Sequence, residues 1–232
     1  MKLDILHALN AERAARRAVV VVTDVASGEQ RLVKVNDLAK DPLKDAIEKR
    51  LRMAKSGMEE TTQGRMFLTV HVPSPQLVIT GAVHISQTLA PIGQLLGYDV
   101  TILDPRTAFA SIERFPDVKV IAEWPDVALP PLNVDHYTAF AALTHDPKID
   151  DPALLHALKR ECFYVGALGS RKTHAKRVDR LKAAGLIDAD IARIHAPIGL
   201  PIGAVSPAEI AVAIMGEITQ RLRVKSEKAE AA

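Results

Sequence analysis

The sequence predicts an α/β chain: a doubly wound parallel sheet preceded by a small α+β unit. Three observations carry this. From residue 76 onward, short apolar runs rich in Val, Ile and Leu alternate with stretches of helical periodicity. Before residue 73 a helix, two strands, a second helix and a hairpin can be read. Between the two regions, Pro73-Ser74-Pro75 interrupts both periodicities. Strand and helix in alternation are the mark of βαβ units with a parallel sheet, and paired prolines are strong punctuation. The expected domains are therefore residues 1–75 and residues 76–232.

In the first region, Leu3, Leu6 and Leu9 recur at helical spacing over 3–17, and Ala18-Val19-Val20-Val21-Val22-Thr23 is a β-branched run bounded by Ser27-Gly28. A returning strand is expected over 31–35, a helix over 43–55 and a hairpin from 59–62 to 66–72, turning at Gln63-Gly64. No catalytic constellation emerges here; His7 and His71 read as surface or packed histidines.

In the second region, Leu77-Val78-Ile79-Thr80 reads as a buried strand, 85–96 as an amphipathic helix closed by Gly97, and 99–103 as a strand ending in Asp104. Such a unit calls for a right-handed crossover. Further strands are expected over 118–122, 137–143 and 162–167. Helices are expected over 151–160, from Ser170 to about Gly185, and from 207 to about 224. Ser206-Pro207-Ala208-Glu209 forms a capping box for the last helix, and the Lys/Glu/Ala tail beyond it is expected to fray. In a Rossmann-like sheet of this kind, ligands lie beyond the carboxyl ends of strands where strand order reverses, between the first and fourth strands.

Composition narrows the function. With 232 residues and 48% hydrophobic content the chain can fold around its own core, without staples. A formal net charge of +2 and an aromatic share of 4% provide neither the field nor the stacking platforms of a nucleic-acid binder. A single cysteine cannot form an internal disulfide, which suits a reducing compartment. No apolar run has the length of a membrane span, and the N-terminus has no signal-peptide core. The expectation is a cytoplasmic protein. Cys162 reads as a buried, inert thiol.

The chain is organised around the stretch 161–174, read as a short strand, a glycine-punctuated turn and the basic first turn of a helix. Gly166 and Gly169 permit positive φ or close backbone approach, Ser170 is a good N-cap, and Arg171, Lys172 and Arg177 add positive charge. Free N–H groups at a helix start attract anions. A phosphate or other anion site is the first hypothesis, beside a plain β-to-α connection with solvated cations. Two further clusters belong to the same rim by topology: Gly81 to His84, and Thr144-His145-Asp146. The first occupies the place of a G-x-G-x-x-G loop but keeps only Gly81; Val83 and Ser86 replace the other two glycines. Asp104, 23 residues after Gly81, stands where a ribose-binding carboxylate would be, followed by Arg106. Strand-end capping is its alternative role. His84, His145, His174 and His195 are each expected near a strand or helix end on this side, together with Asp146. They could recognise an anion, ligate a metal or serve structure; no local metal spacing is present. Residues 195–203, with two prolines and two glycines, prescribe a defined loop.

At Leu143 to Asp146, Tyr164 to His174, His195 to Leu200 and Pro207 to Ala211, the sequence resembles the XdhC/CoxI family of accessory proteins for molybdenum hydroxylases. The resemblance covers roughly residues 66 to 222. It implies a maturation factor that holds molybdenum cofactor, as molybdopterin or its cytosine dinucleotide form, during sulfuration and delivers it to a xanthine dehydrogenase or carbon monoxide dehydrogenase. A cysteine desulfurase would be the sulfur donor, and a homodimer is the expected assembly. The family loop is Gly-x-Gly-His; here Gly81 and His84 remain. Cofactor contacts are expected from Gly81, His84, Asp104, Arg106, Thr144, His145, Asp146, Gly166, Gly169, Ser170, Arg171, Lys172, His174 and His195. Phosphate would fall to the 166–172 turn, and the pterin or metal group to His145, Asp146, His174 and His195. The rivals are an NAD(P)-dependent oxidoreductase using the same crevice and a scaffold that recruits the client enzyme.

Overall fold

In a computed structural model that describes residues 1–62 and 64–224, the valine run explains the first unit, Met1–Pro73. Helix α1 (Leu3–Ala14) leads into strand β1 (Val19–Asp24). Successive side chains of a strand point to opposite faces, and here both faces are covered. Val19 and Val21 pack with Ile5 and Leu9 of α1; Val20 and Val22 pack with Leu38, Ile47 and Leu68. That double cover is why the run is continuous rather than alternating. Strand β2 (Gln30–Lys34), a 3-10 turn at Val35–Lys40, helix α2 (Lys44–Met53), and strands β3 (Gly57–Thr61) and β4 (Gly64–His71) complete the unit. The sheet is antiparallel with order β2-β1-β4-β3. Thr61 pairs with Gly64, while Gln63 of the expected turn lies outside the described residues. His7 is exposed and His71 half-buried.

The second unit begins at Ser74. Its elements are β5 (Gln76–Thr80), α3 (His84–Leu95), β6 (Asp99–Leu103), β7 (Lys119–Ile121), α4 (Pro125–Ala128), β8 (Thr138–Ala142) and α5 (Pro147–Lys159). There follow β9 (Tyr164–Ala167), α6 (Arg171–Ala183), α7 (Asp188–Ile191), β10 (Ile194–His195) and α8 (Pro207–Arg223). The six strands are parallel in the order β10-β9-β8-β5-β6-β7. β5 is flanked by β6 and β8, so the winding direction reverses between β5 and β8, as a doubly wound sheet requires. Leu77, Ile79, Ala139, Ala141 and Tyr164 meet α3 and α8 on one face. Val78, Phe140, Ala142, Val165 and Ala167 meet α4 to α7 on the other.

Two elements differ from expectation. α5 starts at Pro147, not Asp151, because Asp146 is its N-cap, accepting from Lys148 N, and Pro147 fills the first position, where a missing N–H costs nothing. His195, read as the start of a loop, and Ile194 before it pair with Gly166 and Val165 as an edge strand; a two-residue strand has no periodicity to detect. The capping box of α8 forms as read, with Ser206 and Glu209 capping one another; the tail expected to fray lies outside the described residues. Among the described residues no helix is long and apolar enough to cross a membrane.

Gly81, at the end of β5, fixes the point of reversal. Its φ is +108°, and a Cβ there would lie 2.9 Å from Thr144 Cγ2 and 3.2 Å from the Leu143 carbonyl carbon and Thr144 N. Gly81→Ala should cost about 1–3 kcal/mol of unfolding free energy by urea denaturation, from overpacking against backbone and a disfavoured φ.

Candidate functional site

The first turn of the site is held by Asp104. Its carboxylate is fully buried and accepts from Ala82 N (2.8 Å), Arg106 N (3.0 Å), and Arg106 Nε and Nη2 (2.8 and 2.7 Å). Burial alone would raise its pKa, but the Arg106 and Ala82 donors outweigh it and hold the carboxyl below its ordinary value. Asp104 therefore occupies the strand-end capping role, with its oxygens turned to protein donors rather than outward to a ribose. Arg106 also stacks over Phe109 and feels the charges of Asp146 and Asp150. Ser86, in the place of the third fingerprint glycine, is buried and donates to Gly81 O (2.5 Å), tying α3 to the turn by a hydrogen bond. Arg114 donates to Ala82 O (2.8 Å) from the segment after β6. His84 is the first residue of α3.

The second turn, Thr144-His145, is built on Asp150. This carboxylate, 1% exposed, accepts from Thr144 Oγ1 (2.7 Å), Thr144 N (3.3 Å) and His145 N (3.0 Å). Burial pushes its pKa up despite those donors. His145 takes φ +63°, an uncommon conformation for a non-glycine residue, although His is among those enriched in it.

The third turn joins β9 to α6. Gly169 has φ +131°, and Ser170 caps α6, its Oγ accepting from Thr173 N at 3.2 Å. Arg171 and Lys172 open the helix, exposed. The second and third turns meet. His145, Pro147 and Asp150 on one side and Lys172, Thr173, Lys176, Arg177 and Arg180 on the other line a cavity of about 290 Å³. It lies one strand away from the β5/β8 reversal, between the first turn of α5 and the first three turns of α6. Burial pushes the Arg177 guanidinium below its ordinary value, with Asp150 and Asp151 pulling it back. Burial, with Arg177 beside it, also lowers the His174 pKa; its Nδ1 is buried without a hydrogen-bond partner among the described residues.

Two of the residues expected here face elsewhere. Gly166 sits within β9, where a Cβ would come within 2.5 Å of Ile198 Cγ1 and 2.7 Å of Tyr164 Oη. The close approach it permits is to the 195–203 loop, so in this structure Gly166 serves packing. His195 is engaged on the α8 face: Nδ1 is 2.7 Å from Glu217 Oε1, and Nε2 is 3.1 Å from Arg221 Nε. Because an arginine Nε–H can only donate, the ring must carry its proton on Nδ1. Cys162 lies before β9, and burial pushes its thiol up to about 12, which makes it a poor nucleophile. No cluster of three or more His, Cys, Asp or Glu side chains able to hold a metal forms among the described residues.

A family model described as the XdhC Rossmann domain matches residues 77–218. The chain belongs to the XdhC family. Among curated relatives, "Uncharacterized protein YqeB" of Escherichia coli K12 is 32% identical over 178 residues, 73% of this chain and 32% of that protein. A protein of Bacillus subtilis 168 named as a probable xanthine dehydrogenase subunit is 29% identical over 163 residues, 70% of this chain and 47% of its own length. "Molybdenum cofactor insertion chaperone PaoD" of E. coli K12 is 29% identical over 146 residues, 63% of this chain and 40% of that protein. The chain thus spans between about a third and a half of the length of the curated relatives it matches. A crystal structure titled as a xanthine dehydrogenase from Bacillus halodurans has a TM-score of 0.65 and 22% identity, covering 98% of this chain and 67% of that one; the likeness is one of fold.

In this XdhC-family chain, sequence reading missed Asp150, Tyr164 as a polar group, Glu217 and Arg221. Glu217 had no signal, because it sits mid-helix among apolar residues, 22 positions from the His195 it binds. It also accepts from Tyr164 Oη (2.6 Å) and Gly199 N (2.8 Å), tying β9, β10 and the 195–203 loop to α8. Burial would raise its pKa, yet the His195 and Tyr164 donors hold it below its ordinary value of 4.5. A lowered carboxylate contributes stability above the unfolded value, and that contribution is lost as pH falls through the folded one. Glu217→Gln should lower stability by about 1–3 kcal/mol at pH 7 and flatten the acid limb of a Tm-against-pH curve below about pH 4.5.

Proposed function

We propose that this chain is a maturation factor that holds molybdenum cofactor, protects it while its terminal sulfur is installed, and passes it to a molybdenum hydroxylase of xanthine dehydrogenase or carbon monoxide dehydrogenase type. The observation that carries this reading is the XdhC Rossmann match over 77–218 on a sheet whose functional edge presents a cationic cavity. One relative's name, a molybdenum cofactor insertion chaperone, supports the same role.

The donors present suit the cofactor's phosphate end. His145 and Lys172 share the cavity wall, with Arg171 and the Ser170 cap at its approach. His174, Thr144 and Asp146 border the same rim. When bound, the group brings an oxo/sulfido-metal centre; the protein's part is to bind, orient and shield it. Whether the molybdopterin or the cytosine dinucleotide form is carried decides how far the ligand extends toward His84 and the Gly81 turn. A cysteine desulfurase is the proposed sulfur donor, and a homodimer the proposed assembly.

The NAD(P) oxidoreductase reading draws less support, because Asp104 is committed to Arg106 and Ala82 and Val83 replaces the fingerprint's second glycine. Mass spectrometry of ligand released from freshly purified protein should find a phosphate-bearing molybdopterin species. Lys172→Ala should retain about tenfold less of it, the scale of one charged hydrogen bond. Release of NAD(P), or saturable binding in an NADH titration, would overturn the proposal.

A further inference from the structure

Arg177 is the charged group that the fold leaves unexplained. It is 2% exposed, yet Nε and Nη1 have no hydrogen-bond partner among the described residues; Nη2 alone donates, to Leu168 O at 2.8 Å. A guanidinium carries five donors and stays protonated in proteins, and a buried charge without a partner is strongly destabilising. The neighbouring carboxylates Asp150 and Asp151 attract it through space but accept no hydrogen bond from it. Asp150 directs its oxygens to Thr144 and His145, and Asp151 pairs with Arg180.

What surrounds Arg177 points to an external counter-ion. It lines the cavity of about 290 Å³ together with Lys172, Lys176, Arg180 and His145. Positions 172, 176 and 180, with 173 and 177, repeat at helical spacing and so share one face of α6. That volume is at the lower end of the ~300–1,000 Å³ typical of small-molecule sites, which suits one anionic group rather than a whole organic cofactor.

We propose that this cavity is a phosphate or diphosphate site in which Arg177 supplies the unpartnered N–H donors of Nε and Nη1 from the buried end and Lys172 and Lys176 supply charge at the mouth. A guanidinium fork matches a tetrahedral oxyanion in shape and charge. The site runs along α6 from Lys172, in the first turn after the Ser170 cap, to Arg180 in the third. The proposal rests on the molybdenum cofactor reading for the source of its ligand, but not for its anion chemistry. A terminal phosphate monoester and the diphosphate of a dinucleotide share that chemistry, and the test separates them.

The full chain is titrated calorimetrically with inorganic phosphate and with pyrophosphate at fixed ionic strength, with thermal melts in parallel. Saturable binding is expected, with a Tm that rises with ligand concentration. Tighter pyrophosphate binding marks a diphosphate site; equal or tighter phosphate binding marks a monoester site. Arg177→Met should weaken binding at least about tenfold and abolish the Tm rise with ligand. Should that variant not fold, Lys172→Ala/Lys176→Ala, both at exposed positions, should reduce affinity at least severalfold. No saturable binding of either anion to folded wild type, or unchanged affinity in the variants, overturns the site. Molybdopterin still found on such a protein by mass spectrometry would leave the cofactor reading standing and refute only this pocket.

Discussion

A buried carboxylate, Asp150, gives the carboxyl edge of the parallel sheet its shape. Three hydrogen bonds from Thr144 and His145 bind the turn after β8 to the first turn of α5. They hold His145 in a left-handed conformation and aim it toward α6. Take the carboxylate away and two part-buried backbone N–H groups lose their acceptor, at a cost of up to about 1–3 kcal/mol each. The cavity between α5 and α6 would lose one wall.

The same device appears three times at this edge. Asp104 accepts from Ala82 N, Asp150 from Thr144 and His145 N, and Glu217 from Gly199 N. Each fixes one loop beyond a strand end through its backbone N–H groups. The arrangement explains why the Gly-x-Gly-His pattern can lose its second glycine without loosening the turn. The Ala82 N–H is held by Asp104, the Gly81 carbonyl by Ser86 and the Ala82 carbonyl by Arg114.

The strands, the reversal at β5 and β8, and the Ser170 and Ser206 caps are legible in the sequence because their signals are local: β-branched runs, helical periods, and serine three residues before a backbone donor. Residues that act across the chain are not. Asp150 lies before the helix expected over 151–160 and falls inside it only because Asp146 caps a helix that starts at Pro147. Glu217 carries no local signal, since its partners His195 and Tyr164 come from β10 and β9. His195 belongs to a recognisable motif, yet a loop histidine shows nothing of the side of the sheet on which its edge strand will place it. Gly166 reads as a point of close approach, and the group that approaches it is Ile198.

The parallel sheet ends in very short strands, three residues at β7 and two at β10. Neither rim offers enough exposed main chain for another polypeptide to extend the ladder, the usual route by which unprotected borders recruit strangers or clump. Association at those rims is thereby confined to side chains carried on helices and connecting segments. Contacts of that sort tend to be smaller and more readily reversed than a continued sheet.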